Sequence, residues 1–311
     1  MEQKIVTIIG GTGFVGRYVV QTLARAGYRL RVVSRNPKRA EELKTFCDVG
    51  QIALISGNLN DITTIKPALA GAYAVIDLVG VLYESGKQNF NALHANGAEK
   101  LAIAAREAGV SRFIFMSALG VDNERGAQYA RSKILGERAV LASFPNATIL
   151  RPSIIFGAED NFFNQFAKMA SIAPALPLLG GGKTLFQPVY AGDVALAVAA
   201  ILAQPETMGK TYELAGNKTY SFKEILQYIM NEIGKQRCLI NIPFPLAMVM
   251  GFFCEFLPKP PITRDQVKML RYNNVLGASV ETFKNLGIKP RSVEEIVPSY
   301  LARFNKKSVK K

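Results

Sequence analysis

Short apolar runs alternate with amphipathic stretches along the first half of the chain. The runs IVTII (5–9), RLRVVS (29–34), IALIS (52–56), AVIDLVG (74–80), RFIFMS (112–117) and ATILR (147–151) have the length and β-branched content of strands. Between them FVGRYVVQTLARAG, NALHANGAEKLAIAAREAG and ARSKILGERAVLASF repeat apolar residues at helical spacing. Strands that are apolar nearly throughout are buried on both faces, so the alternation predicts an α/β protein with a parallel sheet between two helical layers. Right-handed crossovers then make it a doubly wound sheet.

The regularity falls after Arg151-Pro152, which divides the chain. Residues 1–151 read as the sheet domain and 152–311 as a smaller C-terminal α/β lobe, with 183–204 returning to the first domain. Pro and Gly cluster in APALPLLGGGK (173–183), the pattern of a loop. DVALAVAAILAQ (193–204) predicts a helix with Asp193 as N-cap, and YSFKEILQYIMNEIG (220–234) one with Ser221 and Glu224 as a capping box. The last residues, KKSVKK, read as a solvated tail. The longest apolar run is IPFPLAMVMGFFC (242–254). It is too short for a bilayer, which needs about 20 apolar residues. Within it, a helix with Pro245 in its first turn and ended by Pro258 is apolar nearly all round. Segment 242–257 is therefore either core of the second lobe or a docking surface for a protein or membrane interface. Lys259, Arg264, Lys268 and Arg271 flank it, and Met248, Met250, Phe252 and Phe253 offer adaptable apolar contact.

Candidate chemistry begins at GGTGFVG (10–16). Gly10, Gly13 and Gly16 follow an apolar strand and open a helix. That context lets the backbone of Gly10, Thr12, Gly13, Phe14, Val15 and Gly16 approach a pyrophosphate at a helix N-terminus, the arrangement of a Rossmann dinucleotide site. The second candidate strand ends in VVSRNPKR. Ser34 and Arg35 stand where an NAD site carries an acid, with Lys38 and Arg39 beyond, so NADP(H) is favoured over NAD(H). Asn58 or Leu59 in GNLND falls along the adenine edge, while Asp61 reads as a helix N-cap. Leu78 and Val79 in LVGVL fall under the ribose on the nicotinamide side. Ser117 ends the fifth candidate strand, and Tyr129 and Lys133 lie one helical turn apart in YARSK. Lysine near a phenol lowers its pKa. The tyrosine can then exchange a proton with a substrate oxygen that the serine steadies, and the lysine can also bond the nicotinamide ribose.

Composition narrows the classes. Of 311 residues, 49% are hydrophobic and 20% charged, enough for a sizeable core. The net charge of +14 favours anionic partners such as phosphates, acidic protein faces and lipid headgroups. The basic residues are scattered without a recognition motif, which argues against nucleic acid. Cys47, Cys238 and Cys254 form no CxxC pair and suit a reducing compartment. His94 is the single histidine, so neither a histidine metal site nor a Ser-His-Asp hydrolase is expected, and no metal. The strand-like KIVTIIGG starts at residue 4 and leaves no room for a cleavable leader, which points to the bacterial cytoplasm.

GGTGFVG, FMSALG and YARSK together resemble the short-chain dehydrogenase/reductase superfamily in its extended or atypical branch. RPSIIFGAEDNFFNQFA (151–167), KTLFQPVYAGDVA (183–195), FPLAMVMGFFCEF (244–256) and ITRDQVKML (262–270) are similar to the NAD(P)H-binding accessory subunit of respiratory complex I, the alpha-subcomplex subunit nine family, and its bacterial relatives. The similarity runs from residue 4 to about 300. It implies a tightly bound NADPH, no catalysis, and a seat beside the quinone module, peripheral on the inner face of the plasma membrane. The family's glycines fall on Gly10, Gly13 and Gly16, its NADP-selecting arginine on Arg35, and its tyrosine and lysine on Tyr129 and Lys133. Ser117 keeps a second expectation open: a soluble NADP-dependent reductase or epimerase/dehydratase using Ser117, Tyr129 and Lys133. Only twelve positions separate Ser117 from Tyr129, so the loop that shapes a substrate pocket is short. Tyr129 and Lys133 are thus expected to hold nucleotide.

Overall fold

In the computed structural model, residues 3–84, 86, 89–122, 126–258 and 260–305 are described. The expectations for Lys259 and for the tail 306–311 lie outside them, as does the side chain of Arg39.

Six strands of the main sheet follow the apolar runs: β1 (Ile5–Ile9), β2 (Arg29–Ser34), β3 (Ile52–Ser56), β4 (Ala74–Asp77), β5 (Arg112–Met116) and β6 (Thr148–Pro152). Helices α1 (Phe14–Arg25), α2 (Lys66–Leu69), α3 (Ala98–Glu107) and α4 (Gln128–Ser143) connect them. β4 stops three residues before the end of its apolar run. The Asp77 carboxylate accepts the Val79 N–H at 3.0 Å, a side-chain turn that ends the ladder there. A π-helical segment, Asn91–Gly97, precedes α3. α4 crosses it so closely that a side chain at Gly136 would strike the His94 carbonyl oxygen.

The chain then forms β7 (Ile155–Phe156), α5 (Phe163–Ile172), β8 (Ala175–Leu179), β9 (Leu185–Phe186), β10 (Val189–Tyr190), α6 (Ala191–Ala203) and β11 (Thr211–Leu214). After these come β12 (Tyr220–Ser221), α7 (Phe222–Glu232), β13 (Cys238–Ile242), α8 (Phe244–Cys254), α9 (Arg264–Met269) and α10 (Val293–Leu301). β11 joins the main sheet, whose order is β11-β6-β5-β4-β1-β2-β3, all parallel. The strand order reverses beside β1, and in such sheets the crevice at that reversal takes ligands.

Two clusters fill the faces of the sheet. On one face α1 and α6 pack Val19, Val20 and Leu23 against Val194, Val198 and Ile201. On the other, α3 and the β3–β4 connection bury Leu101, Ala105, Ile65 and Leu69. A third cluster, with Phe156, Phe163, Leu176, Phe222, Ile229 and Val297, lies after Arg151; the elements around it are termed the second lobe.

Several expectations change. The loop expected over 173–183 contains β8, paired in parallel with β13 from Ala175↔Cys238 to Leu179↔Ile242. Leu176 and Leu178 turn into the third cluster. A two-stranded pair leaves an open edge that tolerates Pro177. Gly180, Gly181 and Gly182, all at positive φ, then turn the chain out of the strand. Asp193 is not an N-cap. The helix starts at Ala191, and the buried Asp193 carboxylate accepts from Arg291 N at 2.6 Å and Nε at 2.9 Å. Asp61, Ser221 and Glu224 cap as expected. α8 starts as expected but ends at Cys254, before Pro258 is reached. It buries only Ala247 and Gly251, leaving Leu246, Val249, Met250, Phe252 and Phe253 exposed. Among the described residues no helix is long and apolar enough to cross a membrane.

Candidate functional site

Gly10 leaves β1 at φ +81, a conformation that L side chains rarely adopt, and its carbonyl accepts the Gly13 N–H at 3.0 Å. α1 begins one residue later, with no side chain capping its first turn. Its free N–H groups and its dipole therefore face outward at the end of β1. A Cβ at Gly16 would lie 2.5 Å from the Gly10 oxygen and 2.6 Å from Gly11 Cα, so only glycine lets α1 sit this near the turn. A Cβ at Gly10 would come 3.3 Å from Leu78 C and Val79 N, which puts the end of β4 alongside the same turn. Thr12, Phe14 and Val15 are half-buried on this loop; Phe14 meets Tyr18 edge-on, and Val15 packs on the first cluster.

At the end of β2 the Ser34 hydroxyl accepts the Asn36 N–H at 3.2 Å, and Arg35 and Lys38 are exposed. Asn58 is exposed after β3, its N–H bound to Thr64 Oγ1 at 2.9 Å. Leu59 turns inward, against Gly97 and the second cluster. With Asn60, Ala92, Asn96, Gly97 and Lys100 it lines a hollow of about 240 Å³.

Lys133 is buried on α4. Its ammonium donates to the Met116 carbonyl at 2.8 Å and the Val79 carbonyl at 3.4 Å, so it ties together the ends of β5 and β4. Burial pulls the Lys133 pKa down to about 8, against the opposing charges of Asp77 and Glu137. Burial pushes Asp77 up to about 6, with the Val79 N–H and the Lys133 charge resisting. Ser117 follows Met116, its N–H bound to the Leu150 carbonyl at 2.7 Å. The Ser117 hydroxyl and the Asp77 Oδ2 are buried without a hydrogen-bond partner. Among the described residues the Tyr228 hydroxyl is the third such atom, while Ser117 and Asp77 lie together at the ends of β5 and β4. Tyr129 packs its ring edge-on against Phe90 and His94.

Three residues here escaped the sequence reading. Asp77 is the one charged residue in an apolar run, a signal that was present. His94, considered there only as a metal ligand or hydrolase base, is buried and accepts the Val81 N–H on Nε2 at 3.1 Å. That leaves Nδ1 as the donor to Ser132 Oγ, 2.9 Å away. Burial, and after it the Lys133 charge, hold the imidazole neutral, its pKa pushed down to about 2. Asp265, from the second lobe, takes backbone N–H groups at the start of α4. Beside it a cavity of about 590 Å³ lies between the lobes, with Phe90, Gln128, Met248, Arg264 and Lys268 in its wall.

The NmrA-like family matches residues 2–278. Over 97% of this chain, and 78% of its own length, the mitochondrial NADH dehydrogenase [ubiquinone] 1 alpha subcomplex subunit 9 of Arabidopsis thaliana is 34% identical. The ceramide reductase of Caulobacter vibrioides is 30% identical over 79% of this chain and 76% of its own. Among solved structures, the NADPH-dependent quinone oxidoreductase of Escherichia coli complexed with NADPH superposes with a TM-score of 0.76 at 21% identity. It covers 96% of this chain and 99% of its own.

Proposed function

The chain belongs to the NmrA-like family, and we propose that it is an NADP(H)-binding accessory subunit of a respiratory NADH:quinone oxidoreductase that holds its nucleotide. The observation that carries this reading is the 34% identity with the Arabidopsis subunit 9, sustained over 97% of the chain.

The residues fit the nucleotide. Gly10, Gly13 and Gly16 leave a cradle that a Cβ at Gly16 would close. Thr12, Phe14 and Val15 present the loop backbone to the pyrophosphate. Arg35, with Ser34 and Lys38, suits a 2′-phosphate, since no carboxylate stands at the end of β2. Asn58 reaches the adenine side. Leu59, turned inward, supports that loop. Leu78 and Val79 underlie the nicotinamide half, where the unpaired Ser117 hydroxyl and Asp77 Oδ2 also lie. Bound there, the nucleotide supplies a hydride donor. Lys133 has one proton left beyond Met116 and Val79 for a ribose hydroxyl, and Tyr129 flanks it one turn earlier. The exposed apolar face of α8, flanked by the basic residues Arg264, Lys268 and Arg271, is the seat for complex I subunits near the quinone module. The same face suits peripheral contact with the inner face of a bacterial plasma membrane.

A second reading is supported by the unpaired Ser117 hydroxyl and by the ceramide reductase relative: an NADP-dependent reductase or epimerase/dehydratase in which Tyr129 moves a proton. Nucleotide analysis and kinetics separate the two. The purified protein is expected to carry NADPH, to oxidise none steadily with carbonyl compounds, and to lose about tenfold or more of its preference for NADPH over NADH in Arg35→Ala. Steady NADPH oxidation abolished by Tyr129→Phe establishes the reductase instead.

A further inference from the structure

The helix that carries Tyr129 and Lys133 has no cap of its own. Ala127 stands at its N-cap with no side chain that can accept from the first turn. The missing acceptor comes from the second lobe. Asp265 Oδ1 accepts the Gln128 N–H at 2.6 Å and Oδ2 the Tyr129 N–H at 3.0 Å. On the same short helix, Lys268 donates to the Gly126 carbonyl at 2.9 Å. α9 therefore grips the start of α4 by both polarities of its backbone, with an anion placed where the helix dipole favours one.

α9 is itself fixed from below. Thr263 and Gln266 form its capping box, and Glu255 accepts from Arg264 N at 2.8 Å and Nε at 2.9 Å. α8 lies against it: a Cβ at Gly251 would sit 2.9 Å from Arg264 N and 3.0 Å from Thr263 C. A shift of α8 is thus passed to α9 without slack. Lys133, one turn beyond Tyr129, is anchored separately by the Met116 and Val79 carbonyls.

We propose that Asp265 is a positioning residue: the second lobe sets where Tyr129 stands over the nicotinamide half of the nucleotide, and the exposed helix α8 is coupled to that half through α9. The proposal rests on the nucleotide reading above. It also gives a role to the polar positions of ITRDQVKML, whose Ile262, Val267 and Leu270 pack in the third cluster. Withdrawing Asp265 frees the first turn of α4 and displaces Tyr129, while Lys133 and the adenylate side stay in place.

The test compares NADPH with 2′,5′-ADP, which lacks the nicotinamide half, by calorimetry on the full chain. Amide hydrogen exchange at Gln128 and Tyr129 is read in parallel. Asp265→Asn leaves one acceptor oxygen for two N–H groups. It is expected to weaken NADPH about tenfold, to change 2′,5′-ADP by less than about twofold, and to speed exchange at residues 128 and 129 alone. Gly251→Ala, which pushes α9, shifts both readouts the same way and carries the test should Asp265→Asn not fold. A purely structural Asp265 weakens both ligands equally and raises exchange along the whole of α4; that result, or no change at all, overturns the proposal. If the unaltered chain binds neither ligand, the nucleotide reading has failed, and exchange alone decides: loss of protection confined to 128 and 129 keeps Asp265 as the positioner of Tyr129, and unchanged protection removes it.

Discussion

Asp77 and Lys133 are both buried; burial disfavours the charge of each, and the opposite charge of its neighbour offsets part of that cost. The Asp77 carboxyl has a pKa of about 6 when folded, against 3.8 for the exposed group. Its protonated form therefore favours the fold. That stabilisation is complete below about pH 3.8 and is lost as the pH rises through about 6, on the order of 2–3 kcal/mol in all. Lys133 remains charged across this window, because its pKa is about 8. Urea unfolding of the nucleotide-free chain at pH 4 and pH 7 should show this loss, and Asp77→Asn should abolish it. Equal slopes in the two proteins would contradict the burial-driven shift. At this scale the sequence was legible where chemistry is local. Gly10, Gly13 and Gly16 announce a turn, and Lys133 announces itself by its spacing from Tyr129. It was silent where a residue acts at long range, as Asp265 does on α4.

Among the elements, the glycine turn and α1 form the most tightly constrained pair. Gly16→Ala places a methyl 2.5 Å from the Gly10 oxygen, where only backbone can give way. Thermal and urea unfolding should show a loss of about 1–3 kcal/mol, the usual cost of overpacking, and nucleotide affinity should fall with it. An unchanged midpoint and affinity would mean that the helix can slide back at no cost. The long apolar runs predicted the strands β1, β2, β3, β5 and β6 to within a residue, while β4 stops three residues short where Asp77 turns the chain. Shorter elements hid. β11 is four residues long and carries Glu213, which bonds the Gly277 N–H, so its composition does not read as strand. β8 hid behind its proline and the glycines that follow, since edge pairing tolerates what a central strand does not.

At the scale of the whole molecule, the short helix α9 lies between the start of α4 and the exposed apolar helix α8. Phe253 is 66% exposed and Phe256 75% exposed, in a chain of net charge +14. An apolar-all-round segment has no periodicity to say which side faces out, so the sequence left core and surface open; α8 buries Ala247 and Gly251 and packs Phe244 and Met248 on the third cluster, which turns Leu246, Val249, Met250, Phe252 and Phe253 outward. An exposed apolar face of this kind is the surface the proposed partner would cover. The most direct test is to purify the tagged protein from gently solubilised native membranes and identify the proteins and nucleotide that accompany it by mass spectrometry, beside Met250→Asp. The account predicts NADH:quinone oxidoreductase subunits with about one NADPH per chain, and a Met250→Asp protein that keeps its NADPH but loses those subunits. A protein recovered without them, or a Met250→Asp variant that still holds them, contradicts it.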